Sequence, residues 1–156
     1  MRAALLLFAA CTRYPLPAVV SDPAVRESLE LRPGAGASGL TSWEVEYAYS
    51  LSEERGACRL TTPRVFLSLR QSLPVAAADA TPAQLAGLDV LADHENGHLR
   101  IDRAAAHDLA EALRSIPPLP TCEAVHAQAE RAAEQVIVAC RARNAEYDAE
   151  TAHGTR

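Results

Sequence analysis

The sequence predicts an α+β fold: a small antiparallel sheet of about three strands, followed by a two-helix hairpin. Three observations lead there. Residues Trp43 to Leu51 place an apolar side chain at every second position, with Glu44, Glu46, Ala48 and Ser50 between them. That period of two marks a half-buried strand. From Thr81 the period lengthens to that of a helix, and Pro117-Pro118 then divide two long amphipathic stretches.

The strands come first. Glu27 to Arg32 can form a short strand, and Pro33-Gly34-Ala35-Gly36 reads as a turn. Trp43 to Leu51 is the strongest strand, and Glu53-Glu54-Arg55-Gly56 turns the chain back. Residues 58–71 return as a strand with Val65, Leu67 and Leu69 on one face and Pro63 interrupting early.

The helices are signalled by their ends. Thr81-Pro82-Ala83-Gln84 supplies an N-cap, a proline at the first helical position and a glutamine at the third. This first helix is expected to run to about Ile116, with Leu88, Leu91, His98, Ile101, Ala105, Leu109 and Leu113 on one stripe. A second helix is expected from Thr121 to about Asn144–Tyr147, with Cys122, Val125, Ala129 and Val136 on its apolar side. A turn near residues 117–120 makes the pair antiparallel.

Composition narrows the function classes. At 156 residues, 49% hydrophobic and 22% charged, the chain suits one soluble domain with a single core. A net charge of -5 and the lack of basic clusters argue against nucleic acid as a partner. Met1-Arg2 followed by an apolar run to Cys11 has the layout of an export signal, and Phe8-Ala9-Ala10-Cys11 that of a lipoprotein cleavage site. The domain plan is therefore a signal or lipoprotein segment over 1–11, a linker or short strand over 12–40, and the functional domain over 41–156. Expected locations are secreted, periplasmic or anchored to the bacterial envelope through a lipidated Cys11. A cytoplasmic metal-binding regulator is the alternative if residues 1–11 are not a signal.

Export would permit disulfides. Cys122 and Cys140 lie 18 residues apart on one helix, about 27 Å, so they cannot pair. Cys58 can pair with either, with Cys122 preferred; three buried thiols are the alternative.

The chemistry centres on His94-Glu95-Asn96-Gly97-His98, an HExxH sequence inside the first helix. Residues four apart share a helix face, so both imidazoles can reach one metal ion, and Glu95 can deprotonate a metal-bound water. The motif sits on the core-facing side, where ionisable groups are costly unless paired or metal-bound. A catalytic zinc needs a third protein ligand. His153 qualifies if the second helix ends early and the tail folds back, with Thr151 and Gly154 suiting the break; Glu130 and Glu134 are the alternatives. Tyr147 is a candidate donor to a developing oxyanion, or else a structural tyrosine at the helix end. Asp148 and Asp102 are candidates to orient a ligand histidine. His107 and His126 read as solvated or structural.

His94-Glu95-Asn96-Gly97-His98-Leu99-Arg100-Ile101 and the ending Tyr147-Asp148-Ala149-Glu150-Thr151-Ala152-His153-Gly154 together resemble a family of uncharacterised bacterial proteins predicted to be secreted zinc-dependent proteases, the domain of unknown function 922. Trp43 to Tyr47, Cys58 and Ser72-Leu73-Pro74 extend the resemblance over residues 43 to 156. It implies a zincin-type peptidase fold, with His94 and His98 as ligands, Glu95 as base and His153 as third ligand. Ala86-Gly87-Leu88 departs from the bulky aromatic expected before the motif, which points to a different cleft wall. The expected activity is hydrolysis of a peptide or protein by zinc, Glu95 and Tyr147. The rival is a non-catalytic envelope protein whose zinc is closed off by a fourth ligand such as Cys140 or Glu134.

Overall fold

A computed structural model describes residues 23–33 and 39–154. Residues 1–22, with the expected signal and Cys11, and 34–38, with most of the expected turn after Pro33, lie outside the described residues. Five elements follow in order: β1 (Ala24–Pro33), β2 (Leu40–Glu54), β3 (Ala57–Val75), α1 (Pro82–Arg114) and α2 (Cys122–Thr151). The three strands make one sheet in the order β1-β3-β2, and both helices pack on one face of it.

The sheet is mixed, which corrects the antiparallel expectation. β2 and β3 form an antiparallel hairpin, but β1 pairs parallel with β3, from Ala24 opposite Phe66 to Pro33 opposite Val75. β1 is followed by β2, which takes the far edge of β3, and only then does the chain return through the middle. The ladder is irregular where Thr62 and Pro63 face the single residue Tyr49. Proline has no N–H to give to the ladder, and the extra residue is absorbed as a bulge with Thr62 at φ 48. The Thr62 hydroxyl is left buried without a hydrogen-bond partner there.

Val45, Val65, Leu67 and Leu69 from the sheet meet Leu99, Ala106, Leu109, Ala110 and Leu113 from α1 and Ala129 and Ala133 from α2. α1 begins as expected: Thr81 accepts from the Gln84 N–H while the Gln84 side chain accepts from the Thr81 N–H, a complete capping box. α2 is capped by Thr121 and continues to Thr151, beyond the expected end at 144–147. Cys58 and Cys122 form a disulfide across a Cα–Cα distance of 5.0 Å, and Cys58 also exchanges backbone hydrogen bonds with Leu119. The start of α2 is thus fastened to β3. Among the described residues no helix is long and apolar enough to cross a membrane.

Candidate metal centre

α1 and α2 lie against each other so that Asp102 meets Cys140 and Asn144, and His98 meets Asn144 and Asp148. That is about two helical turns further along α2 than a symmetric hairpin about residue 118 gives. His94 and Glu95 are buried, at 6% and 4% exposure, and His98 is nearly so.

Three ligand-type atoms converge. His98 Nε2 lies 3.1 Å from His94 Nε2 and 3.0 Å from Asp148 Oδ1, and His94 Nε2 is 3.2 Å from the same oxygen. One potential ligand atom from each of His94, His98 and Asp148 falls within 4.8 Å of the others, a spacing that can hold a metal ion.

The surrounding hydrogen bonds decide where the imidazole protons sit. The Asn144 amide donates from Nδ2 to Asp102 Oδ1 at 2.9 Å and to the Cys140 carbonyl at 3.2 Å. Its Oδ1 is therefore the acceptor facing His98 Nδ1 at 2.6 Å, which makes that nitrogen the N–H. At the other ring, the Thr151 hydroxyl donates to the Tyr147 carbonyl at 2.6 Å, so its oxygen accepts from His94 Nδ1 at 2.9 Å. Both Nδ1 atoms carry protons, and both Nε2 lone pairs face a carboxylate oxygen. With both imidazoles neutral, three acceptors at this spacing repel one another, and either a cation between them or a proton on one Nε2 relieves that repulsion. The donor set, two imidazoles and one carboxylate, fits a zinc ion.

Asp102, expected as an orienting carboxylate, acts on His98 through Asn144. It is 1% exposed, and burial pushes its carboxyl above the ordinary value, partly offset by the hydrogen bonds from Asn144 and Cys140 and by His98. Burial and the Asp102 charge push the Cys140 thiol up to about 12, so it stays protonated and donates to Asp102.

Glu95 is held from the sheet. Its Oε2 accepts from the Thr41 hydroxyl at 2.5 Å, and a Cβ at Gly39 would collide with its carboxyl group. Only glycine lets the start of β2 approach this closely. Gly97 has a matching role: any side chain there would strike the Tyr147 hydroxyl. The Tyr147 ring stacks on His94 at 5.1 Å and meets His98 edge-on at 5.2 Å. Tyr147 packs against the imidazoles with its hydroxyl over α1 and is not among the residues lining the adjoining cavity.

The tail does fold back, as the His153 expectation required, but only after Thr151. Ala152, His153 and Gly154 take positive φ values of 47, 54 and 73, and Gly154 packs on His94. Two non-glycine residues in this region cost roughly 1–2 kcal/mol each, strain stored beside the site. His153 is left outside the converging group. Its side chain is 79% exposed, with Nδ1 3.6 Å from Asp148 Oδ1. Asp148, one turn earlier and pointing between the histidines, takes the third position instead. The alternatives named from the sequence lie elsewhere: Glu130 accepts from the Tyr47 hydroxyl, Glu134 is exposed, and Cys140 bonds Asp102. His126 pairs with the Tyr49 hydroxyl, and His107 is exposed.

A cavity of about 550 Å³ opens onto the group, walled by Leu40, Thr41 and Trp43 of β2, Leu91 and Glu95 of α1, and Arg141 and Ala145 of α2. So Tyr147 braces both rings, Asp148 faces them, Thr151 fixes His94, and Gly154 seats the tail. The family model described as a bacterial protein of unknown function (DUF922) matches residues 19–154. The chain belongs to this family. No curated protein and no solved structure matches it. Within this DUF922 chain the match begins ahead of β1 and takes in the whole sheet as well as both helices.

Asn144, which faces His98, and Thr41, which holds Glu95, are site residues that the sequence reading missed. For Asn144 a signal was present: Asn144 and Asp148 are spaced four apart, as His94 and His98 are, and so share a face of α2.

Proposed function

We propose that this protein is a zinc-dependent peptidase of the zincin type, with His94, His98 and Asp148 as metal ligands and Glu95 as general base. The observation that carries this reading is the convergence of two Nε2 lone pairs and a carboxylate oxygen, with both Nδ1 protons committed elsewhere. Zinc held there supplies Lewis acidity, which makes water acidic near neutral pH and polarises a carbonyl group. Glu95, fixed by Thr41 and lining the cavity, takes the proton from the attacking water and passes it to the leaving amine. Leu40, Trp43 and Leu91 offer an apolar wall to a substrate side chain. The Cys58–Cys122 disulfide supports action in an oxidising compartment, outside the cell or in its envelope, with anchoring through Cys11 as part of the proposal.

The test pairs metal analysis with hydrolysis. Purified protein is expected to hold one zinc per chain and to cleave quenched peptides. Glu95→Gln is expected to keep the zinc and lose about 100-fold to 10,000-fold in rate. Protein without zinc, or Glu95→Gln with undiminished cleavage, would sink the proposal.

One observation favours a second reading. His153 Nδ1 lies 3.6 Å from Asp148 Oδ1, close enough to offer a fourth ligand that closes the site as a structural zinc. Such a protein binds zinc but cleaves nothing, and His153→Ala lowers its stability.

A further inference from the structure

Arg141 is the one arginine or lysine among the residues that line the cavity. Its situation differs from that of its neighbours. Arg143, two residues on, pairs with Asp108 at 3.0 Å, and Arg103 pairs with Glu27. No carboxylate among the described residues pairs with Arg141. The positions one turn away on its own helix hold Ile137, Val138, Asn144 and Ala145, none of them acidic. The acidic groups of the cavity point elsewhere: Glu95 accepts from Thr41, Asp102 accepts from Asn144, and Asp148, about two turns along α2 from Arg141, is directed between the two histidines. A guanidinium thus borders the cavity in a chain whose net charge is -5, with no carboxylate among the described residues paired to it.

We infer that Arg141 binds a carboxylate of the substrate, about three residues from the bond that is cut. This rests on the peptidase reading and adds a substrate class to it. Arg141, Asn144, Ala145 and Asp148 follow an i, i+3, i+4, i+7 pattern and so lie on one face of α2. Seven residues of helix place Arg141 about 10 Å along the axis from Asp148. An extended peptide advances about 3.3 Å per residue, so a group over Arg141 lies about three residues from one over the metal ligands. A guanidinium matches a carboxylate with two parallel N–H···O bonds, a fit that an amide or an ammonium substrate group lacks. The carboxylate has two possible sources, an Asp or Glu side chain or the C-terminus of the peptide.

The experiment uses the zinc-loaded full chain and synthetic quenched decapeptides carrying Glu, Gln or Lys at each of three positions on either side of the cleaved bond, with free or amidated C-termini. Wild type is expected to favour Glu at one of these positions, or a free C-terminus there, by about tenfold over the neutral peptide. Preference kept on amidated peptides identifies a side chain; preference lost on amidation identifies the terminus. Arg141→Gln is expected to raise KM for the favoured peptide about tenfold with kcat changed less than twofold. Arg141→Glu is expected to reverse the preference toward Lys, with zinc content unchanged in both variants. Labelled favoured peptide is also expected to bind the Glu95→Gln protein and to lose that binding when Arg141→Gln is added. Cleavage without charge preference, or preference retained in Arg141→Gln, overturns this inference and leaves the peptidase reading standing. Full zinc without cleavage of any peptide overturns both.

Discussion

The same two helices are built from different materials at their two ends. Where α1 finishes and α2 begins, Leu109, Leu113, Val125, Ala129 and Ala133 are almost wholly buried against the sheet, and the Cys58–Cys122 disulfide closes that end. Toward the other end of the pair, where the middle of α1 meets the last turns of α2, the buried ionisable groups are His94, Glu95 and Asp102, flanked by Asn144 and Asp148 and opening on a cavity. Burial of hydrocarbon stabilises a fold, whereas burial of ionisable groups costs stability unless each is matched. The polar end is matched only in part, because its three converging atoms are all acceptors. One end of the helix pair holds the fold, and the other gathers ionisable groups that the fold tolerates.

The largest effect should come from breaking the apolar end. Leu113 has no exposed surface, and Leu113→Ala is expected to lower stability by about 2–5 kcal/mol, read from urea unfolding. The fraction that remains folded should bind zinc with wild-type affinity. A Leu113→Ala protein of normal stability but weakened zinc binding would mean that the two ends are not separable.

The converse change lies at the polar end. Asn144 gives His98 its orientation and its tautomer but belongs to no apolar cluster. Asn144→Ala is expected to weaken zinc binding by about 10-fold to 100-fold, as loss of an orienting partner does, with a smaller change in apo-protein stability than Leu113→Ala gives. Competition with a metal-chelating dye measures the first quantity and urea unfolding the second. Unchanged zinc affinity would show that the Asn144–His98 contact does not prepare the ligand.

The sequence exposed the apolar end more fully than the polar one. Thr81-Pro82-Ala83-Gln84 and Thr121 set the helix starts because capping is local chemistry, written in three or four adjacent residues. Leu109 and Leu113 fall on a stripe that periodicity finds directly. HExxH was legible for the same reason, since both histidines are on one helix. The third position was not. It depends on where α2 stops, and the stop is made by Ala152 and His153 at positive φ, residues that give no sign of a break, with Gly154 only after them. Reading the helix as ended by Tyr147 put His153 in a place that Asp148 fills one turn earlier. The parallel pairing of β1 was hidden too, because it joins Ala24 to Phe66 across 42 residues, and alternation alone carries no strand direction.

The smallest effect is a difference in how the two ends respond to alkali. The chain contains no lysine, so cysteine and tyrosine dominate its side-chain titration between about pH 8 and 11. At the polar end, burial and the Asp102 charge push the Cys140 thiol from 9.0 up to about 12. On β2, where it faces the apolar half of α2, burial and the Glu130 charge push Tyr49 from 10.0 up to about 12, and Tyr47 is raised as well. A raised acid is protonated in the fold after its unfolded counterpart has ionised, so the stability it lends is complete below the unfolded pKa and is lost as pH climbs toward the folded one. Wild-type stability is therefore expected to start falling near pH 9, from Cys140, and to fall faster above pH 10, when the tyrosines join. Each group adds at most about 1.4 kcal/mol per pH unit, and the half-buried Tyr49 adds less through solvent screening. Cys140→Ala should move the onset to about pH 10, while Tyr49→Phe should leave the onset alone and make the later slope shallower. Urea midpoints at half-unit steps from pH 8 to 11 distinguish these curves, and an onset that stays at pH 9 in Cys140→Ala would remove the thiol from the account.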